Sequence, residues 1–147
     1  MSIQPILITC PKRGTSYVEQ ELESLGYPIK QVLDAGVFTE GSLEDCWKLN
    51  LQLRTGLRVL FQVAEFKADD AERFYRQSRQ IAWNRWIAED GYLCVISSVL
   101  TECIDNTQFA RMKLKDAVVD QIRDVTGSRP DSGPDQNKTV LFLYWRG

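Results

Sequence analysis

The run from Asn106 to Gly127, NTQFARMKLKDAVVDQIRDVTG, has the spacing of one long amphipathic helix. At roughly 100° per residue, Ala110, Leu114, Ala117, Val118, Ile122 and Val125 share a broad apolar stripe. Asp116, Asp120 and Arg123 fall on the opposite side, where water is expected, with Lys113 and Asp124 flanking them. Asn106 or Thr107 can cap the start, and Gly127 can close the end in a left-handed conformation.

The start of this helix is unusual in its charge. Its first ten residues carry Arg111, Lys113 and Lys115 and no acid. Helix stability alone would place Asp or Glu there, because the free N–H groups and the dipole favour negative charge. Cations add to that field, so the segment reads as a phosphate-facing helix start. Gln108, Arg111 and Lys115 lie together along the margin of the stripe. The competing explanation is a capped helix whose basic residues are merely solvated.

Composition narrows the chemistry. The 147 residues suffice for one ordinary domain or two very small ones. The net charge of −2 counts against nucleic-acid binding unless a local patch exists. There is no histidine, which removes the commonest general base. Cys10, Cys46, Cys94 and Cys103 have no CxxC spacing, so free thiols in a reducing cytoplasm are expected rather than a zinc site. No apolar run reaches the roughly 18 residues of a membrane helix. The N-terminus lacks a signal-peptide pattern, since its basic residues follow a short apolar run. Neither a metal nor a membrane is therefore expected as a partner.

Along the chain, Ile6 to Cys10 reads as a strand ended by Pro11. Gly14 to Gly26 reads as a helix with Val18, Leu22 and Leu25 inward. Lys30 to Leu33 and Val37 to Thr39 read as strands about a turn. Ser42 and Asp45 form a capping-box pattern for a helix with Leu43, Trp47 and Asn50 on one side. Leu57 to Phe66 reads as a strand. The resulting β-α-β-β-α-β order is the ferredoxin-like arrangement.

A second unit is expected from Lys67. Asp69-Asp70 starts a helix with Ala71, Phe74, Tyr75, Ser78, Ile81 and Ala82 inward and Arg73, Arg76 and Arg79 projecting outward. That arginine row is either a wet face or a track for a phosphate backbone. Trp83 and Trp86 read as core packing at the helix exit in preference to base stacking. Gly91 to Leu100 is a buried strand, Arg129 to Asp135 a loop rich in breakers, and Lys138 to Arg146 a final strand. So apolar a terminal strand would be an open edge, so a return strand beyond Gly147 is expected.

Four stretches resemble the N-terminal part of bacterial large-subunit ribosomal RNA methyltransferases that act on the exocyclic amine of guanine. They are CPKRGTSYVEQELESLG, LNLQLRTGLRVLFQVAEFKA, Ile81-Ala82-Trp83 and NTQFARMKLKDAVVD. The first resembles a Cys-Pro-Lys-Gly opening, with Arg13 read as an insertion before Gly14. The resemblance implies an α+β chain: a ferredoxin-like unit over residues 1–66 and the α/β core of a THUMP domain over 67–147, truncated at its C-terminus. It implies that Asn106, Thr107, Gln108, Lys113 and Lys115 meet RNA, while the family's basic residue before the motif is here Asp105. Arg54 and Arg58 also match, and pairing with Glu40 or Glu44 is expected of them.

The family's S-adenosylmethionine would belong to a separate C-terminal methyltransferase domain. No Gly-rich cofactor turn and no Asn/Asp-Pro-Pro-aromatic tetrad occurs here, so no catalytic residue and no cofactor is assigned to this chain. Two functions remain open. One is an RNA-binding module that presents structured RNA, large-subunit rRNA by resemblance, to that linked domain in the cytoplasm. The other is a ferredoxin-like ligand-sensing or protein-docking domain without RNA binding.

Overall fold

The computed structural model describes residues 3–88, 90–102, 104 and 106–146. Cys103 and Asp105 lie outside the described residues. The chain divides into two compact units, Met1–Glu65 and Phe66–Gly147.

Unit 1 runs β1 (Gln4–Thr9), α1 (Thr15–Ser24), β2 (Gln31–Leu33), β3 (Gly36–Gly41), α2 (Leu43–Gln52) and β4 (Arg58–Phe61). The sheet order is β2-β3-β1-β4, antiparallel throughout. Strand alternation sends Ile6 and Ile8 of β1 to one face, where they meet Val18 and Leu22 of α1 and Cys46 and Leu49 of α2 in one buried cluster. Both helices thus cover the same face, the ferredoxin-like arrangement expected from element order.

Local chemistry sets the boundaries. Ser42 caps α2 with a complete capping box, its hydroxyl accepting the Asp45 N–H while the Asp45 carboxylate accepts the Ser42 N–H at 2.8 Å. The Tyr27 hydroxyl donates to the same carboxylate at 2.9 Å. Glu21 of α1 accepts the N–H groups of Arg54 and Thr55 and the Thr55 hydroxyl, clamping the loop after α2. Lys30 bridges Glu40 at 3.2 Å and Lys48 bridges Glu44 at 3.9 Å.

Several expectations are corrected. The strand over Leu57–Phe66 is confined to Arg58–Phe61: Phe61 pairs with Ile6, Gln62 N–H bonds the Pro5 carbonyl, and Pro5 has no N–H to return a bond to β4. On α2 the buried residues are Cys46 and Leu49, whereas Trp47 is 60% exposed. Leu25 is 38% exposed. Arg13 has φ +68°, a left-handed conformation that glycine adopts without steric cost.

Unit 2 contains α3 (Ala71–Arg79), a 3-10 turn (Trp83–Arg85), β5 (Tyr92–Leu100), α4 (Thr107–Thr126), β6 (Asp131–Ser132) and β7 (Thr139–Arg146). β5 is central and parallel to both β6 and β7. The breaker-rich loop therefore holds a short strand, because the N–H groups of Asp131 and Gly133 reach the Gly91 and Leu93 carbonyls. Asn106 caps α4 and Gly127 ends it at φ +85°. Trp83 is buried with its indole N–H on the Ser78 carbonyl, while Trp86 is 43% exposed, so only the first tryptophan is core.

α4 packs against both β5 and α3. Ala117, Val118 and Val119, three consecutive residues, are all buried, which a helix with one contact face does not allow. Val119 was missed in the stripe, and Val125 is 60% exposed in the last turn, beyond Asp124 where α3 ends. Ile122→Ala is expected to cost about 2–5 kcal/mol and Val125→Ala to stay within about 0.5 kcal/mol. Hydrogen-exchange protection of the α4 and β5 amides measures both.

A second prediction concerns acid. The Ser42 N–H and then the Tyr27 hydroxyl hold the Asp45 carboxyl below its ordinary value of 3.8. Its contribution to stability is complete above that value and is lost as pH falls through the lower folded value. Asp45→Asn should flatten the acid limb of unit 1's stability profile, followed by circular dichroism. An unchanged limb would show that this carboxyl does not couple to folding.

Candidate nucleic-acid interface

The first turn of α4 carries no acid. The Asn106 side chain accepts the Gln108 N–H at 2.8 Å, and its carbonyl accepts from Phe109 and Ala110. Asn106, Thr107, Gln108 and Arg111 are all exposed. Lys115 is half-buried, with its ammonium 3.5 Å from Asp116.

Helical geometry divides the three cations. Residues two apart point roughly 160° away from each other around the axis. Gln108, Arg111 and Lys115 stay on one side, but Lys113 faces the α3 side. Its ammonium lies 5.6 Å from the Tyr75 ring centroid and 5.5 Å from that of Phe109. The basic residues thus form a row of two with Gln108 and a separate lysine held between two aromatic rings.

The arginine row of α3 is largely countered. Arg73 bridges Asp69 at 3.1 Å, and Arg79 pairs with Asp124, which holds the guanidinium's pKa up. Arg76 is exposed, and no carboxylate among the described residues pairs with it. Exposed pairs of this kind are weak and exchangeable, yet each lowers the local positive potential.

Asp120 departs from expectation. It does not face open water: the Tyr75 hydroxyl donates to it at 2.5 Å and Arg123 lies 3.2 Å away. The reason is that α3 covers this side of α4. The sequence reading passed over Phe109, and placed Tyr75 on the inward side of α3 without its bond to Asp120. The available signal was an aromatic at a position outside the apolar stripe.

Among the described residues, no group of three or more Cys, Asp or Glu could hold a metal ion. Cys10, Cys46 and Cys94 are free and buried, and burial pushes the Cys46 thiol up to about 11. No helix among the described residues is long and apolar enough to cross a membrane.

Two family models divide the chain between them. The RlmL ferredoxin-like domain matches residues 5–60, and the THUMP domain matches residues 68–141. The chain belongs to the THUMP family, with an RlmL-type ferredoxin-like domain ahead of it. Its relatives include the ribosomal RNA large subunit methyltransferase K/L of Dichelobacter nodosus, 39% identical over 85% of this chain and 17% of that protein. The protein of the same name from Marinobacter nauticus is 34% identical over 100% of this chain and 20% of its own length. Among solved structures, one from Listeria monocytogenes, described as a predicted N6-adenine-specific DNA methylase, superposes with a TM-score of 0.81 at 22% identity. It is matched over 98% of this chain and 37% of that one. Another, described as a methyltransferase candidate complexed with SAH, gives 0.80 at 23% identity, over 99% and 39%. This THUMP-containing chain therefore spans about a fifth of the length of these curated relatives.

The contact between α3 and α4 has a spectroscopic consequence. The hydrogen bond to Asp120 raises the Tyr75 pKa above its ordinary 10.0, because the carboxylate opposes a phenolate. Asp120→Asn should bring Tyr75 ionisation back toward that value, read by ultraviolet titration of tyrosinate. No change would place Tyr75 away from Asp120 in solution.

Proposed function

We propose that this chain is the RNA-binding, substrate-recognition module of an S-adenosylmethionine-dependent rRNA methyltransferase acting on guanine N2. The observation that carries the reading is the acid-free, cation-bearing start of α4 in a THUMP unit that holds as many acids as bases in all. Asn106, Thr107 and Gln108 offer neutral donors there, and Arg111 and Lys115 offer charge. Arg76 adds a cation on α3, while Arg73 and Arg79 would have to exchange a carboxylate for a phosphate.

Such a surface suits phosphate and ribose contacts, which fix register and orientation but carry little sequence information. Specificity for structured large-subunit rRNA then comes from shape and from the linked methyltransferase domain. That domain would hold S-adenosylmethionine and carry out the transfer; this chain supplies no catalytic group to it. On this reading the protein works in the cytoplasm, beside nascent ribosomal RNA. A handful of contacts makes the isolated module a weak binder that gains from tethering to its enzyme.

A second reading, protein docking through unit 1, has one observation in its favour. Trp47 and Leu51 of α2 sit one turn apart and are 60% and 87% exposed. Salt separates the readings, since apolar docking is nearly indifferent to it whereas phosphate contacts release counterions.

The test is a salt titration of binding to structured rRNA fragments. Arg111→Glu with Lys115→Glu should weaken binding at least tenfold and reduce the slope of log affinity against log salt by roughly 1.5–2, as expected for two lost phosphate contacts. Unchanged affinity and slope would show that RNA does not bind here.

A further inference from the structure

The aromatic and cationic cluster between α3 and α4 has a use that the phosphate-facing row does not. Phe109 projects from the first turn of α4 and is 47% exposed. Met112 and Lys113 follow at the spacings that place them beside it. Met112 is also 48% exposed. Tyr75, fixed through its hydroxyl to Asp120, holds Lys113 at 5.6 Å from its ring, so the ammonium stays 5.5 Å from Phe109.

No carboxylate among the described residues pairs with Lys113. Asp116 is engaged with Lys115, and Asp120 with Tyr75 and Arg123. A half-exposed ring with an unneutralised ammonium over it matches a ligand that brings a flat ring and an anion together. A nucleotide with an unstacked base does so: its base can lie on the ring while its phosphate meets the ammonium. An apolar protein side chain would leave Lys113 without a counter-charge.

We propose that Phe109 is a stacking platform for one unpaired RNA base, with Lys113 receiving the adjoining phosphate. This rests on the RNA-binding reading and deepens it. The module binds a junction between paired and single-stranded RNA, with Arg111 and Lys115 on the paired side and Phe109 under an extruded base. Phe109 contributes through base contact alone, so its loss does not change the number of phosphates neutralised.

The experiment uses the full chain and two RNA hairpins. One bears an unpaired extension, and the other has the same extension made of abasic nucleotides, which keep the phosphates and remove the rings. The wild-type chain should prefer the hairpin with bases. Phe109→Ala should lose on the order of 5- to 100-fold in affinity for that hairpin, lose nothing on the abasic one, and leave the salt slope unchanged. Phe109→Trp should restore the preference, and an unchanged melting curve for each variant confirms that the exposed site is not needed for folding. Equal weakening on both hairpins, no weakening on either, or a wild-type chain that does not distinguish them would overturn the stacking platform. If both hairpins still bind and depend on Arg111 and Lys115, the RNA-binding reading survives that result. If the wild-type chain binds neither hairpin at low salt, both readings fall.

Discussion

The burial of α4 against β5 on one side and α3 on another is the constraint on which unit 2 depends. A helix that meets only a sheet needs one stripe; a helix that also meets a second helix needs a wider one. Ala117, Val118 and Val119 cover roughly 200° of the circumference at 100° per residue, and all three are buried. The same double contact draws Asp120 to the Tyr75 hydroxyl and Asp124 to Arg79. Polar groups that would otherwise face water thereby register α3 on α4. The first turn escapes this enclosure, which is why residues there remain available for a ligand.

Charge follows from that packing. The chain is slightly acidic, and unit 2 carries as many acids as bases. What distinguishes a surface is then which cations keep a carboxylate and which do not. α3 loses most of its positive potential to Asp69 and Asp124, whereas the α4 start has no acid of its own. An anionic polymer would meet Arg111, with no carboxylate partner among the described residues, beside Lys115, which shares Asp116, on a unit whose other charges are net acidic. Such a region can orient RNA without holding it tightly, which suits a module tethered to an enzyme.

Unit 1 shows how much a local pattern can specify. The Ser42–Asp45 box, the helix over Thr15–Ser24 and the strand pair about Asp34-Ala35 all follow from neighbouring residues. The failures have long-range causes. β4 stops where Pro5 of β1 has no N–H to offer it, and Glu21 engages the Arg54–Thr55 backbone across 33 residues of chain. Arg13 takes a left-handed conformation that no local sequence pattern announces.

From the sequence alone come the element order, the caps of α2 and α4, most of the α4 stripe and the absence of acids at its start. Periodicity and capping act over a few residues, so one strand of text contains them. Only the tertiary structure decides that Val119 is buried and Val125 is not, that Lys113 and Lys115 serve different sides, and that two of the three α3 arginines are neutralised. Each of these depends on which element lies against α4, and that contact joins residues some 45 positions apart.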